Sequence, residues 1–192
     1  DGLVLPPKLA PKHVVILPIC RSDAERAQVL PYCESLMKEL NAQTFSGGSV
    51  RAWIDDRDLR GGEKNWQHVK RGVPLRAEVG PRDIAKNGVF LGRRDTGEKR
   101  NLDRQEFVQS VGSFLDQMQG NLYQRALALR EANTRTIDSA DEFREYFTPK
   151  DADKPEIHGG FAACHWAEDP AVDQLLADLK VTIRCVPYQG EQ

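Results

Sequence analysis

The spacing of apolar and polar positions changes several times along the chain, and each change marks an element. His13–Ile19 (HVVILPI) is a β-branched apolar run and predicts a buried parallel strand. Ser22 with Glu25 forms a capping-box pattern and opens a helix with Val29, Leu30, Cys33, Leu36, Met37 and Leu40 at its apolar positions. Pro31 is expected to kink or restart that helix. Gly47 and Gly48 end the connection to a strand over Val50–Ile54. A charged turn, Asp55–Gly62, leads to a short helix over Glu63–Arg71 that Gly72 closes. Val73–Val79 (VPLRAEV) alternates like a strand, and Pro74 places it at a sheet edge or marks its start. Gly80–Asn87 reads as a turn or short helix, Val89–Arg94 as another strand, and Asp95–Gly97 as a turn. Asp103 with Glu106 repeats the capping-box pattern. It opens a long helix with Phe107, Val108, Val111, Leu115, Met118, Leu122, Ala126 and Leu129 on one stripe.

This strand–helix alternation predicts an α/β domain with a mixed sheet, preceded by an extended, proline-bearing lead-in over residues 1–11. A second unit follows. Ser139 and Glu142 cap a helix through Tyr146, and Thr148–Pro155 is a polar linker. Gly160–Trp166 predicts a strand, Asp169 and Pro170 start a helix running to about Leu179, and Val181–Val186 predicts a closing strand. A unit of about 55 residues is marginal alone and is expected to pack on the first.

Composition narrows the class. Mean hydropathy is -0.56, and no apolar run is long enough to span a bilayer, so a membrane protein is not expected. No period or biased tract points to a collagen, coiled-coil or low-complexity chain. No apolar leader follows Asp1, and the chain reads as a piece of a longer protein. The net charge of -2 hides a split. Arg51–Arg104 holds 14 Lys and Arg against 9 Asp and Glu, while the remainder holds 13 against 20. A basic segment on an acidic chain fits one face that meets phosphate; a solvated, salt-bridged surface gives the same count. Cys20, Cys33, Cys164 and Cys185 form no CxxC pair, so buried, reduced thiols in a cytoplasmic protein are expected. No phosphate-loop motif and no nucleophile with a spaced base is evident.

Three stretches resemble the prolyl-tRNA synthetases of the archaeal/eukaryotic type. They are GLVLPPKLAPKHVVILPI from Gly2, GVPLRAEVGPRD over Gly72–Asp83 with Arg93, Arg94 and Asp95 after it, and GGFAACHW from Gly159 with TIRCVP from Thr182. The resemblance implies a class IIa anticodon-binding domain, a mixed five-stranded sheet flanked by helices, then a small α/β C-terminal domain. It implies residues 1–11 as the tail of a catalytic core, 12–135 as the anticodon-binding domain and 136–192 as the C-terminal domain. The full-length enzyme would be a cytoplasmic homodimer that uses ATP and Mg to attach proline to tRNA. This fragment would lack the catalytic residues, hold no cofactor, and meet its own catalytic domain and the tRNA anticodon stem-loop.

Reading such a loop sets a chemical requirement. Proline anticodons share two guanines. A guanine offers O6 and N7 to a guanidinium fork, and N1–H and N2–H to a carboxylate. Residues 63–83 contain that set. Trp66 is a candidate for stacking, Arg71 and Arg76 for base or phosphate contacts, and Glu78 for a guanine edge, with Gln67 beside them on the same helix. Lys64, Lys70, Arg82, Arg93 and Arg94 would position phosphates. Trp66 could instead be the buried anchor of an amphipathic helix. Relatives often show GxKFxExELKG before this glycine; here Asn65 and Gln67 stand where Phe and Glu often occur.

The family's zinc pattern, like HWCGDxxCE, meets Ala167 and Val172 here, so no structural zinc is expected. Cys164 and Cys185 are then expected as core thiols, and His158 and His165 as satisfied structural histidines rather than a metal or Cys/His pair. Two other functions compete: a non-catalytic RNA-binding accessory protein, and a small redox or metal protein built on Cys164 and Cys185.

Overall fold

Val14–Pro18 (β1) is buried at all five positions, as its unbroken apolar run requires. The computed structural model describes residues 2–151, 153 and 160–186. After β1 come α1 (Asp23–Asn41), the short pair β2 (Thr44–Phe45) and β3 (Gly48–Ser49), then β4 (Ala52–Ile54) and α2 (Gly61–Lys70). The chain continues through β5 (Leu75–Val79), α3 (Pro81–Ala85), β6 (Gly88–Arg93), β7 (Lys99–Asp103) and α4 (Arg104–Ala132). Five strands form one sheet in the order β4-β1-β5-β6-β7. Strand β1 runs parallel to β4 and β5, and β6 and β7 are added antiparallel, so the sheet is mixed. The expected class of a mixed five-stranded sheet flanked by helices is what the chain builds.

The pleat sorts side chains onto two faces. One carries Val14, Ile16, Leu75, Ala77, Val79, Val89, Leu91 and Leu102, packed with residues of α1 and α4 such as Leu36, Leu40, Phe107 and Leu115. This is the main core. The other carries a small apolar cluster of Val15 and Leu17 with Val73, flanked by Ile19 and Trp53. Helix α2 lies against β1 on that side. Register puts Arg76 opposite Val15 and Gly92, and Glu78 opposite Leu17 and Phe90, on this second face.

Several expectations need correcting. Strand β5 lies inside the sheet, between β1 and β6, so Pro74 marks a strand start and not an edge. Helix α1 runs unbroken from Asp23 to Asn41 with Pro31 inside it, so no restart occurs there. Strand β7 was not foreseen: in KRNLD only Leu102 is buried, so no alternating apolar signal exists. The stripe on α4 is real only as far as Met118; Ala126 and Leu129 are exposed. The caps behave as their sequences suggest. Ser22 Oγ accepts from Glu25 N–H at 3.2 Å, and Asp103 Oδ1 accepts from Gln105 and Glu106 N–H at 2.7 and 3.2 Å.

By contacts the chain divides into residues 1–125 and residues 126–192. In the second unit β8 (Thr134–Thr136) pairs in parallel with β9 (Phe161–Ala163). It also holds α5 (Ala140–Phe147), capped by Ser139, and α6 (Pro170–Asp178), capped by Asp169. Ile137 and Phe143 are its buried apolar side chains among the described residues. Such a two-stranded sheet builds almost no interior. Hence Cys164 and Cys185 are exposed rather than core thiols, and no strand forms over Val181–Val186. His165 is exposed too, while His158 lies outside the described residues.

Candidate nucleic-acid interface

Helix α2 reverses the usual arrangement of an amphipathic helix. Its buried side chains are Lys64 and His68, four residues apart and so on one face. Both reach Asp55, a fully buried residue just past β4. His68 Nε2 lies 2.8 Å from Asp55 Oδ2, and Lys64 Nζ donates to the Asp55 carbonyl at 3.2 Å. Arg57 closes the cluster by donating to both carboxylate oxygens at 2.7 and 2.6 Å. That fork holds the Asp55 carboxyl well below the usual carboxylate range. Burial holds His68 in its neutral form against the pull of Asp55. Trp53 meets the His68 ring edge-on at 5.6 Å, and Lys12 Nζ lies 3.2 Å above the Trp53 ring. Outward from this anchor, Trp66 is 50% exposed, and Lys70 and Arg71 face solvent.

Beside α2 the sheet face is open. Across β5, β6 and β7 one row runs Arg76, Gly92, Lys99 and the next Glu78, Phe90, Asn101. Glu78 and Phe90 are half-buried, and Lys99 and Asn101 are exposed. Arg76 is 6% exposed. Its Nε–H donates to Asn65 Oδ1 at 2.6 Å, while its Nη1 is buried without a partner. A guanidinium, a carboxylate two residues along, a ring and an amide thus share one surface, the donor and acceptor set that a base edge needs.

The remaining predicted residues divide. Arg82 is exposed at the start of α3, and Gln67 is half-buried with its amide 3.4 Å from Glu63 Oε1. Lys64 and Arg93 do not face solvent as phosphate contacts would require. Lys64 is buried against Asp55, and Arg93 is 8% exposed, with its guanidinium on Asp95 (3.2 and 3.0 Å) and Gln117 (3.2 Å). Arg94 donates to the Leu3 and Gly2 carbonyls at 2.8 and 3.1 Å, tying down the lead-in. The buried-anchor reading of Trp66 fails, because Lys64 and His68 occupy the inner face. Sequence reasoning missed Asn65 and Lys99. The turn Asp95–Gly97 directly after a strand was the hairpin signal that would have found Lys99. Among the described residues no cluster of three or more His, Cys, Asp or Glu is placed to hold a metal, and no helix is long and apolar enough to cross a membrane.

A mixed sheet with one face given to a core and the other carrying a polar row beside a short helix makes this an α/β domain with two unlike sheet faces. The family model described as "Anticodon binding domain" matches residues 13–113, and the chain belongs to that family. It is 49% identical over 196 residues to "Proline--tRNA ligase 2" of Anaeromyxobacter dehalogenans, covering 98% of this chain and 38% of that protein. It is 53% identical over 189 residues to "Proline--tRNA ligase" of Rhodopirellula baltica, covering 97% and 36%. The enzyme of that name from Bdellovibrio bacteriovorus is 50% identical over 193 residues, covering 100% and 38%. The chain therefore spans little more than a third of the length of these curated relatives.

Proposed function

We propose that the open face beside α2 reads the anticodon loop of a proline tRNA, within a proline–tRNA ligase of which this chain is a part. The observation that carries the reading is the pairing of Arg76 and Glu78 on one strand face. Arg76 would meet guanine O6 and N7, and Glu78 would meet guanine N1–H and N2–H. Trp66 would stack on an unpaired base, with Gln67 beside it; Lys70, Arg71, Arg82 and Lys99 would hold phosphates. Arg94 fits a backbone tie better than a phosphate contact.

For the whole protein we propose ATP- and Mg-dependent attachment of proline to tRNA, carried out by a cytoplasmic homodimer. No adenylation chemistry is assigned to residues of this chain. Residues 1–11 would end the catalytic core, 12–135 would read the anticodon, and 136–192 would form the C-terminal domain without zinc. The ligase names of the relatives favour this over an accessory RNA-binding protein. The test is binding of this chain to a proline anticodon stem-loop, with and without its guanines replaced. In the full-length enzyme, Arg76→Ala or Glu78→Ala should raise the tRNA KM and leave proline activation intact. Unchanged charging kinetics for both variants would remove this face from the site.

A further inference from the structure

Arg76 is an unusual buried cation. It makes no ion pair with any described residue, and its Nη1 has no hydrogen-bond partner. A buried guanidinium in that state is costly unless something completes it. Its neighbours fit it closely. Gly92, opposite on β6, leaves the space: a Cβ there would lie 3.2 Å from Arg76 Nη2. From α2, Asn65 takes the Nε–H at 2.6 Å. A guanidinium has two edges with parallel donors. With Nε–H given to Asn65, the edge formed by Nη1 and Nη2 is the pair left over. A neutral amide oxygen fixes the fork without cancelling its charge, which a carboxylate at the same place would do.

We infer that Asn65 is a positioning residue for guanine recognition: it holds Arg76 by Nε–H and keeps the buried Nη edge unpaired until a guanine offers it O6 and N7. This rests on the reading of the open face as an anticodon site. Asn65 acts through Arg76 and does not itself touch the base. Its contribution is therefore to discrimination between bases more than to overall RNA affinity.

The experiment uses the 192-residue chain and proline anticodon stem-loops carrying guanine or 7-deazaguanine at each shared guanine in turn. 7-Deazaguanine lacks the N7 acceptor and keeps the other edges. The wild-type chain should bind one of the substituted loops about tenfold more weakly, the scale of a lost specific base contact. Asn65→Ala should shrink that ratio to near one at the same position. Asn65→Asp keeps an oxygen at the same place, so it should retain the ratio while weakening both loops together through its charge. Thermal melts of each variant accompany the binding curves. A full wild-type ratio in Asn65→Ala overturns the inference, and so does loss of the ratio in a folded Asn65→Asp. If Arg76→Ala abolishes the ratio but Asn65→Ala does not, the anticodon face stands and the role of Asn65 falls. If the wild-type chain shows no ratio at any position, both fall.

Discussion

His68 Nε2 and Asp55 Oδ2 lie 2.8 Å apart across the joint between α2 and the end of β4, and both residues are fully buried. The carboxylate can only accept, so Nε2 carries the proton, and Nδ1 is left buried without a partner. This hydrogen bond fixes the helix that presents Trp66 and Asn65. His68→Ala should cost about 1.5–3 kcal/mol, the range for a hydrogen bond to a charged group. Urea unfolding checks it; a loss below about 0.5 kcal/mol would show that the joint is held by other contacts.

Arg76 and Arg93 are both buried, yet they should behave differently. Arg93 links the end of β6 to Asp95 and to Gln117 of α4. Arg93→Ala removes the cation that faces Asp95, leaving the Asn121 amide at 3.0 Å as its side-chain donor, and should lower stability by about 3 kcal/mol. Binding of an anticodon stem-loop by the fraction still folded should be almost unchanged. Arg76→Ala should weaken that binding roughly tenfold or more. Equal effects of the two variants on binding would contradict the division.

Trp66 is half exposed and anchors nothing in the core. Trp66→Ala should leave the melting temperature within about 2 °C of wild type, as surface changes usually do. RNA affinity should fall by about 1–3 kcal/mol if the indole stacks on a base. Calorimetry and a filter-binding titration on one preparation separate the two.

Gly112 of α4 is pressed against the β2–β3 pair: a Cβ there would lie 2.7 Å from the Thr44 carbonyl oxygen. Backbone cannot yield as a flexible side chain can. Gly112→Ala should therefore cost about 1–3 kcal/mol. Gly120, on the same helix, has nothing within 4 Å of its Cβ position. Gly120→Ala should be neutral or stabilise by up to about 1 kcal/mol. A lowered denaturation midpoint for Gly112→Ala beside an unchanged or raised one for Gly120→Ala is the expected result.

His13 gives the fold a dependence on pH. Burial, and next the charge of Arg51 beside it, lower its pKa to about 4. The unfolded chain therefore takes up a proton first as pH falls below 6.5. Stability from the neutral ring is complete above that value and drains away down to about pH 4, by about 3 kcal/mol in total. Unfolding free energies at pH 7, 5 and 4 should show the loss, with a shallower slope in His13→Gln. An equal slope in both proteins would assign the dependence to His68, whose pKa burial also lowers from the same unfolded value.

The sheet strands with apolar alternation, the helix starts and the basic segment were legible in the chain because each leaves a periodic or capping signal. The polar anchoring of α2 was not. Lys64 and His68 look like solvent-facing residues, and the string does not separate Trp66 as a stacking ring from Trp66 as a buried anchor, until Asp55 fixes which side of the helix turns inward. Strand β7 escaped for a related reason: one buried residue, Leu102, is too little pattern to see, although β6 supplies it with a complete ladder. Asn65 carries no signal at all until its distance to Arg76 is measured.

Helix α2 shelters β1 and β4 but stops at β5, and that incomplete cover divides the labour of a single sheet surface. Phe90, Lys99 and Asn101 lie on the uncovered part, where little of the scaffold depends on their identity. Diversifying these three positions would leave the opposite, densely packed side untouched. A library built there could retarget the domain to other unpaired loops without first having to be rescued from unfolding.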